Sequence, residues 1–216
     1  MHYEFTLIGI SSLLVHADNV LASDDLAAWR KDPAVKSISV AGDDRSPPWS
    51  WMTYLHSDGA SVCMLADALM VSLRFAGAKI VMKKRETFKA VTQSGILIDE
   101  EFLPILVGDK PIKNEDVAKL KTMPFMEQFE GVKKLGFKLD VRRAVVGMSK
   151  HVRVRPRFDS WVLKGNLDVS EPAITPPILQ QLFDIAGSRA GIGDWRPSAR
   201  ASGSHGRFTA KLNPLD

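Results

Sequence analysis

The sequence predicts an α+β fold: an antiparallel sheet with two helices on one face and an insertion in the middle of the chain. Three observations lead there. Residues 66–76 and 176–186 carry apolar side chains at helical spacing, β-rich or alternating segments flank both, and glycine and proline turns separate them. At 216 residues, 45% of them hydrophobic and 25% charged, the chain has apolar material for a real core and reads as one domain, 1–216, with 80–150 as an insertion within it.

Taken in order, "HYEFTLIGI" mixes aromatic and β-branched residues and predicts an opening strand over residues 3–10. Residues 17–51 contain a short helical candidate at 24–31 and the breakers "DPAV" and "GDDRSPPW", so they read mostly as a long connection. "ASVCML" predicts a short strand leading into the 66–76 helix, where Leu65, Leu69 and Leu73 recur at helical period and Gly77 is placed to end it. The middle of the chain alternates short apolar runs with charged stretches and predicts strands plus a flexible insertion. "HVRVRPRF" then alternates cleanly: Val152, Val154 and Phe158 point one way, and His151, Arg153, Arg155 and Arg157 the other. Pro156 lacks a ladder donor, which predicts an edge or bulged strand. "SWVLKGNLDV" reads as its partner. Thr175 predicts an N-cap, Pro176 suits the first turn, and Ile178, Leu179, Leu182, Phe183 and Ala186 form the apolar stripe of the last helix, with Gly187 ending it. "RFTAKL" predicts the closing strand. Helices at two places among antiparallel strands suit a sandwich of the ferredoxin-like type.

Function classes narrow by chemistry. A lone cysteine, Cys63, excludes an internal disulfide framework and a multi-cysteine zinc site, and reads as a small buried hydrophobe. None of His2, His16, His56, His151 and His205 sits at the spacing of a helical metal pair, so no metal and no cofactor are expected. "GIGDW" fails to complete a dinucleotide fingerprint, because Arg196 stands where the third glycine belongs. No run approaches a membrane span, and the first fifteen residues make a poor signal peptide; the expected location is cytoplasmic.

Basic residues are the stronger lead. Lys138, Arg142, Arg143, Lys150, Arg153, Arg155 and Arg157 crowd a segment whose only acid is Asp140. Arginine's planar fork suits phosphate, and Trp161 close behind predicts a stacking platform for bases. Lys83, Lys84 and Arg85 make a second cluster. The third is "GIGDWRPSARASGSHGRF", residues 191–208. Here Gly191, Gly193, Gly203 and Gly206 predict backbone N–H groups open to an anion, with Arg196 and Arg207 supplying charge. The competing readings are a solvated strand face paired to neighbouring acids, and a mobile surface hairpin. His205 and His16 are acid–base candidates, or else exposed loop histidines.

Two segments together resemble a known group. "CMLADALMVSLRFAG" (63–77) and the glycine-rich "GIGDWRP…GSHGRF" resemble the RAMP superfamily of CRISPR proteins, and the layout is similar to phage and prophage proteins ending in "GIGDWRP…GRF". Met64, Leu65, Ala66 and Asp67 stand where that superfamily's isoleucine–proline–glycine–serine lead is usual. The resemblance implies a ferredoxin-like or RRM-like core, a thumb-like insertion in the middle (80–150), and non-catalytic binding of RNA or single-stranded DNA. It also implies head-to-tail self-association, or assembly with other CRISPR-like subunits, along the strand. The alternatives are a metal-independent RAMP-type endoribonuclease using His205 or His16, and a structural phage or partner-binding protein that holds no nucleic acid.

Overall fold

The computed structural model describes residues 1–36, 38–40, 42–146 and 149–215, with the side chains of Leu21, Val146, Ser149 and Lys150 outside the described set. The fold is α+β, with antiparallel sheets and, among the described residues, six α-helices. The chain packs as two compact units. One gathers Met1–Leu13, Cys63–Pro111 and Asp159–Asp216, the other Leu14–Val62 and Ile112–Phe158. Residues 80–111 thus fold with the first unit and 112–146 with the second.

In the first unit the opening strand, His2–Gly9, lies between Val162–Val169 and Phe208–Leu215, antiparallel to both. Ile96–Ile98 pairs antiparallel on the far side of Val162–Val169. The spatial order of these four is therefore last, first, third, second. Alternation along the opening strand puts Tyr3, Phe5 and Leu7 on one buried face, opposite Leu167, Gly165 and Leu163. Phe183, from the Pro176–Ile185 helix, meets Phe5 at 6.1 Å between ring centres, so that helix covers this face. Burying one such phenylalanine is worth about 1.5–3 kcal/mol. The Ala66–Gly77 helix buries Leu69, Leu73 and Ala76, and Ser72 Oγ donates to the Ala186 carbonyl at 3.3 Å. A third helix, Lys89–Gly95, lies against the end of Ala66–Gly77.

Several expected details differ. Gly187 does not end the last helix: the chain runs on through a wide turn, Ala186–Ala190, and stops at Gly191, whose φ is 69°. Glycine is needed at 187 for another reason, since a Cβ there would run into the Phe208 carbonyl. Gly77 does stand at the end of its helix, as its last residue, facing Thr92 and the backbone of Phe88. Thr175 takes the N-cap position, but its side chain makes no cap bond. Val162–Val169 is not the partner of the basic strand, because its ladder positions are taken by His2–Gly9 and Ile96–Ile98.

The second unit contains the basic strand, Ser149–Phe158, paired along its length with Lys138–Val146. It is not an edge, since Val15 N–H donates to the Pro156 carbonyl at 3.0 Å and a bridge joins Val152 to Asp43 on the same strand. Under this hairpin Phe137 stacks on Phe158 at 5.1 Å and meets Trp51 at 5.9 Å. The Trp51 indole donates to Gln128 Oε1 at 2.7 Å, and Gln128 Nε2 donates to the Met123 carbonyl. Gln128 and Val132 lie on Phe125–Lys134, a helix where the sequence suggested a flexible insertion; the first part of the expected long connection is also helical, Val20–Lys31.

Candidate nucleic-acid interface

In an antiparallel ladder, directly opposed residues share a face. Register pairs Arg157 with Lys138, Arg155 with Asp140, Arg153 with Arg142 and His151 with Ala144. One face of the hairpin therefore carries Lys138, Arg142, Arg153, Arg155 and Arg157 around Asp140. The other carries Leu139, Val154 and Pro156, toward the aromatic cluster, and then the exposed Val141, Arg143 and Val145. Arg143, expected beside the other cations, is thus on the opposite face. The side chain of Lys150 lies outside the described residues.

The acids are used. Arg142 grips Asp140 through two bonds, Nε to Oδ1 at 2.6 Å and Nη2 to Oδ2 at 2.9 Å, and Arg157 Nη1 lies 3.7 Å from Oδ2. Arg153 Nη1 donates to Asp44 Oδ1 at 3.1 Å. Asp44 is 3% exposed and accepts also from Tyr54 Oη at 2.9 Å and from the Val154 N–H at 3.1 Å. Asp140 and Asp44 are thus both engaged by cations of this face, and Arg153 is tied into the fold.

Burial, and after it the Asp44 carboxylate, push the Tyr54 phenol up to about 12. A raised pKa in the folded state means that the protonated phenol stabilises the fold in full below the ordinary value near 10. That contribution is lost as pH rises from about 10 to 12. Thermal unfolding followed stepwise across this window should show falling stability, and Asp44→Asn should move the fall to lower pH.

His16 is exposed and meets Tyr54 edge-on, 4.4 Å between ring centres. Lys83, Lys84 and Arg85 lie in the first unit, exposed at the turn between Val81–Lys83 and Glu86–Thr87, with Lys84 at φ 52°. Trp161 does not offer a stacking face. It is 1% exposed, packs edge-on to Phe208, and its indole donates to the Ser11 carbonyl at 2.8 Å.

Three of the four glycines in the glycine-rich segment of the first unit, Gly191, Gly203 and Gly206, give their N–H groups to backbone carbonyls of the fold rather than leaving them open. Gly191 N–H donates to Ala186, Gly203 N–H to Arg196 and Gly206 N–H to the Ser12 carbonyl, while Ile192 N–H donates to Gly206. At Gly206 φ is 70° and a Cβ would run into the Ile192 carbonyl, so only glycine closes the loop here. Arg196, expected to clamp a ligand, holds its own loop: Nη1 donates to the Gly193 carbonyl at 2.9 Å and Nε to Ser198 Oγ at 3.2 Å. Arg207 anchors its backbone N–H on Ser11 Oγ, while its Nε is buried without a partner among the described residues.

Three residues unremarked as site candidates in the sequence come forward. Ser12 Oγ and His205 Nδ1 are 2.8 Å apart. Trp195, half-buried at φ 48°, tilts its indole 33° from the His205 ring, with 6.4 Å between centres. Asp44 organises the arginine face from a loop more than a hundred residues away in sequence. Among the described residues no cluster of His, Cys, Asp and Glu has the form of a metal site, and no helix is long and apolar enough to cross a membrane. Compared with known proteins, the chain matches no family model, and no curated protein matches it.

Proposed function

We propose that this protein binds a single strand of RNA or DNA, with phosphates running along the arginine face of the hairpin formed by Lys138–Val146 and Ser149–Phe158. The observation that carries this is the register, which gathers Lys138, Arg142, Arg153, Arg155 and Arg157 on one face of the hairpin. Guanidinium groups on a rigid ladder hold phosphate oxygens without reading sequence. In the first unit, the order last, first, third, second among four antiparallel strands supports a ferredoxin-like core. With it goes the RAMP-like reading: a non-catalytic cytoplasmic subunit repeated along a strand in a CRISPR-like or phage nucleoprotein.

The test is binding of labelled RNA and DNA oligonucleotides across a salt series. Affinity should fall steeply as salt rises, because each phosphate neutralised releases counterions. Negligible binding near physiological salt would remove the proposal and leave a partner-binding protein.

One observation favours a second reading. Ser12 fixes one nitrogen of His205, the arrangement that leaves the other to move protons. In that reading His205 takes the proton of an RNA 2′-hydroxyl, O2′ attacks phosphorus as the bond from phosphorus to the 5′-oxygen breaks, and the 5′-oxygen takes a proton from water. Cleavage of labelled RNA, but not DNA, by the unaltered protein and its loss in His205→Ala is the expected result of that chemistry. Intact RNA excludes it.

A further inference from the structure

We propose that the outer edge of Lys138–Val146 pairs with the same edge of a second copy of this chain, in an antiparallel register centred on Val141. In the second unit Ser149–Phe158 has Lys138–Val146 on one side and Val15 on the other, and among the described residues Lys138–Val146 pairs with no other strand. An edge of this length turns a row of N–H and C=O groups outward, a template for one more strand. The contact lies wholly at this edge and does not depend on nucleic acid on the face above it.

Charge and periodicity choose the occupant. Along an antiparallel strand the N–H and C=O groups point outward at alternate residues, so two opposed residues are both of the outward kind or both of the inward kind. Identical strands then meet only in registers that set one residue opposite itself. Centred on Asp140, the pair opposes Asp140 to its own copy and Lys138 to Arg142; centred on Arg142 or Arg143, it opposes an arginine to its own copy. Like charges directly opposed are destabilising. Centred on Leu139 or Ala144, or nearer either end, the overlap shrinks to residues 138–140 or 142–146 at most. The register centred on Val141 overlaps residues 138–144 and opposes unlike charges. Asp140 faces Arg142 of the second copy on both sides of the axis, Lys138 faces Ala144, and Arg143 faces Leu139. Val141, 43% exposed, is covered by its own copy. The contact is isologous and closes at two copies, so it is separate from any head-to-tail repetition. Its two-fold axis stands perpendicular to the sheet, which brings the arginine faces of both copies to one side.

The test is a cysteine scan of the edge, on protein freed of nucleic acid by nuclease and high salt so that no strand bridges two copies. Cys63, the one cysteine of the chain, is fully buried, which leaves each introduced thiol as the exposed one. Opposed residues have Cα atoms about 4.5–5.5 Å apart, within the span of a disulfide. Val141→Cys should therefore form a covalent dimer under mild oxidation. Arg143→Cys and Val145→Cys, also at exposed positions, would lie about 13 and 26 Å from their copies in this register and should stay monomeric. Sedimentation velocity should show a reversible, concentration-dependent dimer of the unaltered protein. Val141→Lys sets like charges across the axis at an exposed position, and should weaken that dimer about tenfold while leaving the circular dichroism unchanged. A monomeric unaltered protein, equal cross-linking at all three positions, cross-linking at 143 or 145 instead of 141, or a dimer indifferent to Val141→Lys each overturns the pairing. Failure of the nucleic-acid reading looks different: oligonucleotides would not bind, and every one of these outcomes would stand.

Discussion

Replacing Lys138, Arg142 and Arg155 together by glutamine should lower affinity for any oligonucleotide by up to the order of 100-fold and flatten its salt dependence. The three side chains share one face of the hairpin, Lys138 exposed and Arg142 and Arg155 partly buried, and charge contacts at a surface contribute up to about 1 kcal/mol each. For a single strand each phosphate contact accounts for about 0.7 unit of slope in log affinity against log salt, so the three should remove about 2 units. Arg157 is retained because it lies 3.7 Å from Asp140 and keeps that largely buried carboxylate compensated when Arg142 is gone. Arg153 is retained because it belongs to Asp44. Arg143→Gln is the control: it removes one charge from the opposite face and should leave the slope unchanged. The loss should be equal for different sequences, since phosphate contacts carry no base information. A triple variant with unaltered slope and affinity would mean that the arginines serve only their own acids, and the proposed interface would fall.

The same hairpin shows what was legible in the sequence. Period-two alternation is local, so the division of the basic strand into an arginine face and a Val154/Phe158 face follows from residues 151–158 alone, and it holds. The helical stripes at Ala66–Gly77 and Pro176–Ile185 were readable for the same reason. Pairing is not local. Nothing near Arg153 announces that Asp44 will neutralise it, or that Lys138–Val146 rather than Val162–Val169 will lie alongside. The Phe125–Lys134 helix escaped notice because its buried face holds a glutamine, Gln128, whose apolar setting depends on Trp51. Trp161 was misread for a related reason: the carbonyl of Ser11 that receives its indole lies 150 residues away in sequence.

Asp44→Ala should be the most destabilising single change in the second unit, by about 3–5 kcal/mol, the cost of removing one partner from a buried ion pair. The carboxylate is 3% exposed and takes three donors: Tyr54 Oη, Arg153 Nη1 and the N–H of Val154, a residue that is itself fully buried. Its removal leaves a half-buried guanidinium without its anion and an interior N–H without an acceptor, each a desolvation cost with nothing to offset it. For a protein of this size that loss corresponds to a fall of about 6–20 °C in unfolding temperature, read by calorimetry or circular dichroism. Asp44→Asn keeps an oxygen for Val154 and should cost less. It also removes the negative charge that neutralises Arg153, so the folded variant should bind oligonucleotides more tightly at low salt, with a slope steeper by about 0.7 unit. Stability and affinity should then move in opposite directions from one substitution. If instead Asp44→Ala unfolds at the temperature of the unaltered protein, the carboxylate is no anchor. Arg153 would then be as available to phosphate as its neighbours, and the division of the arginine face into holding and binding residues would be wrong.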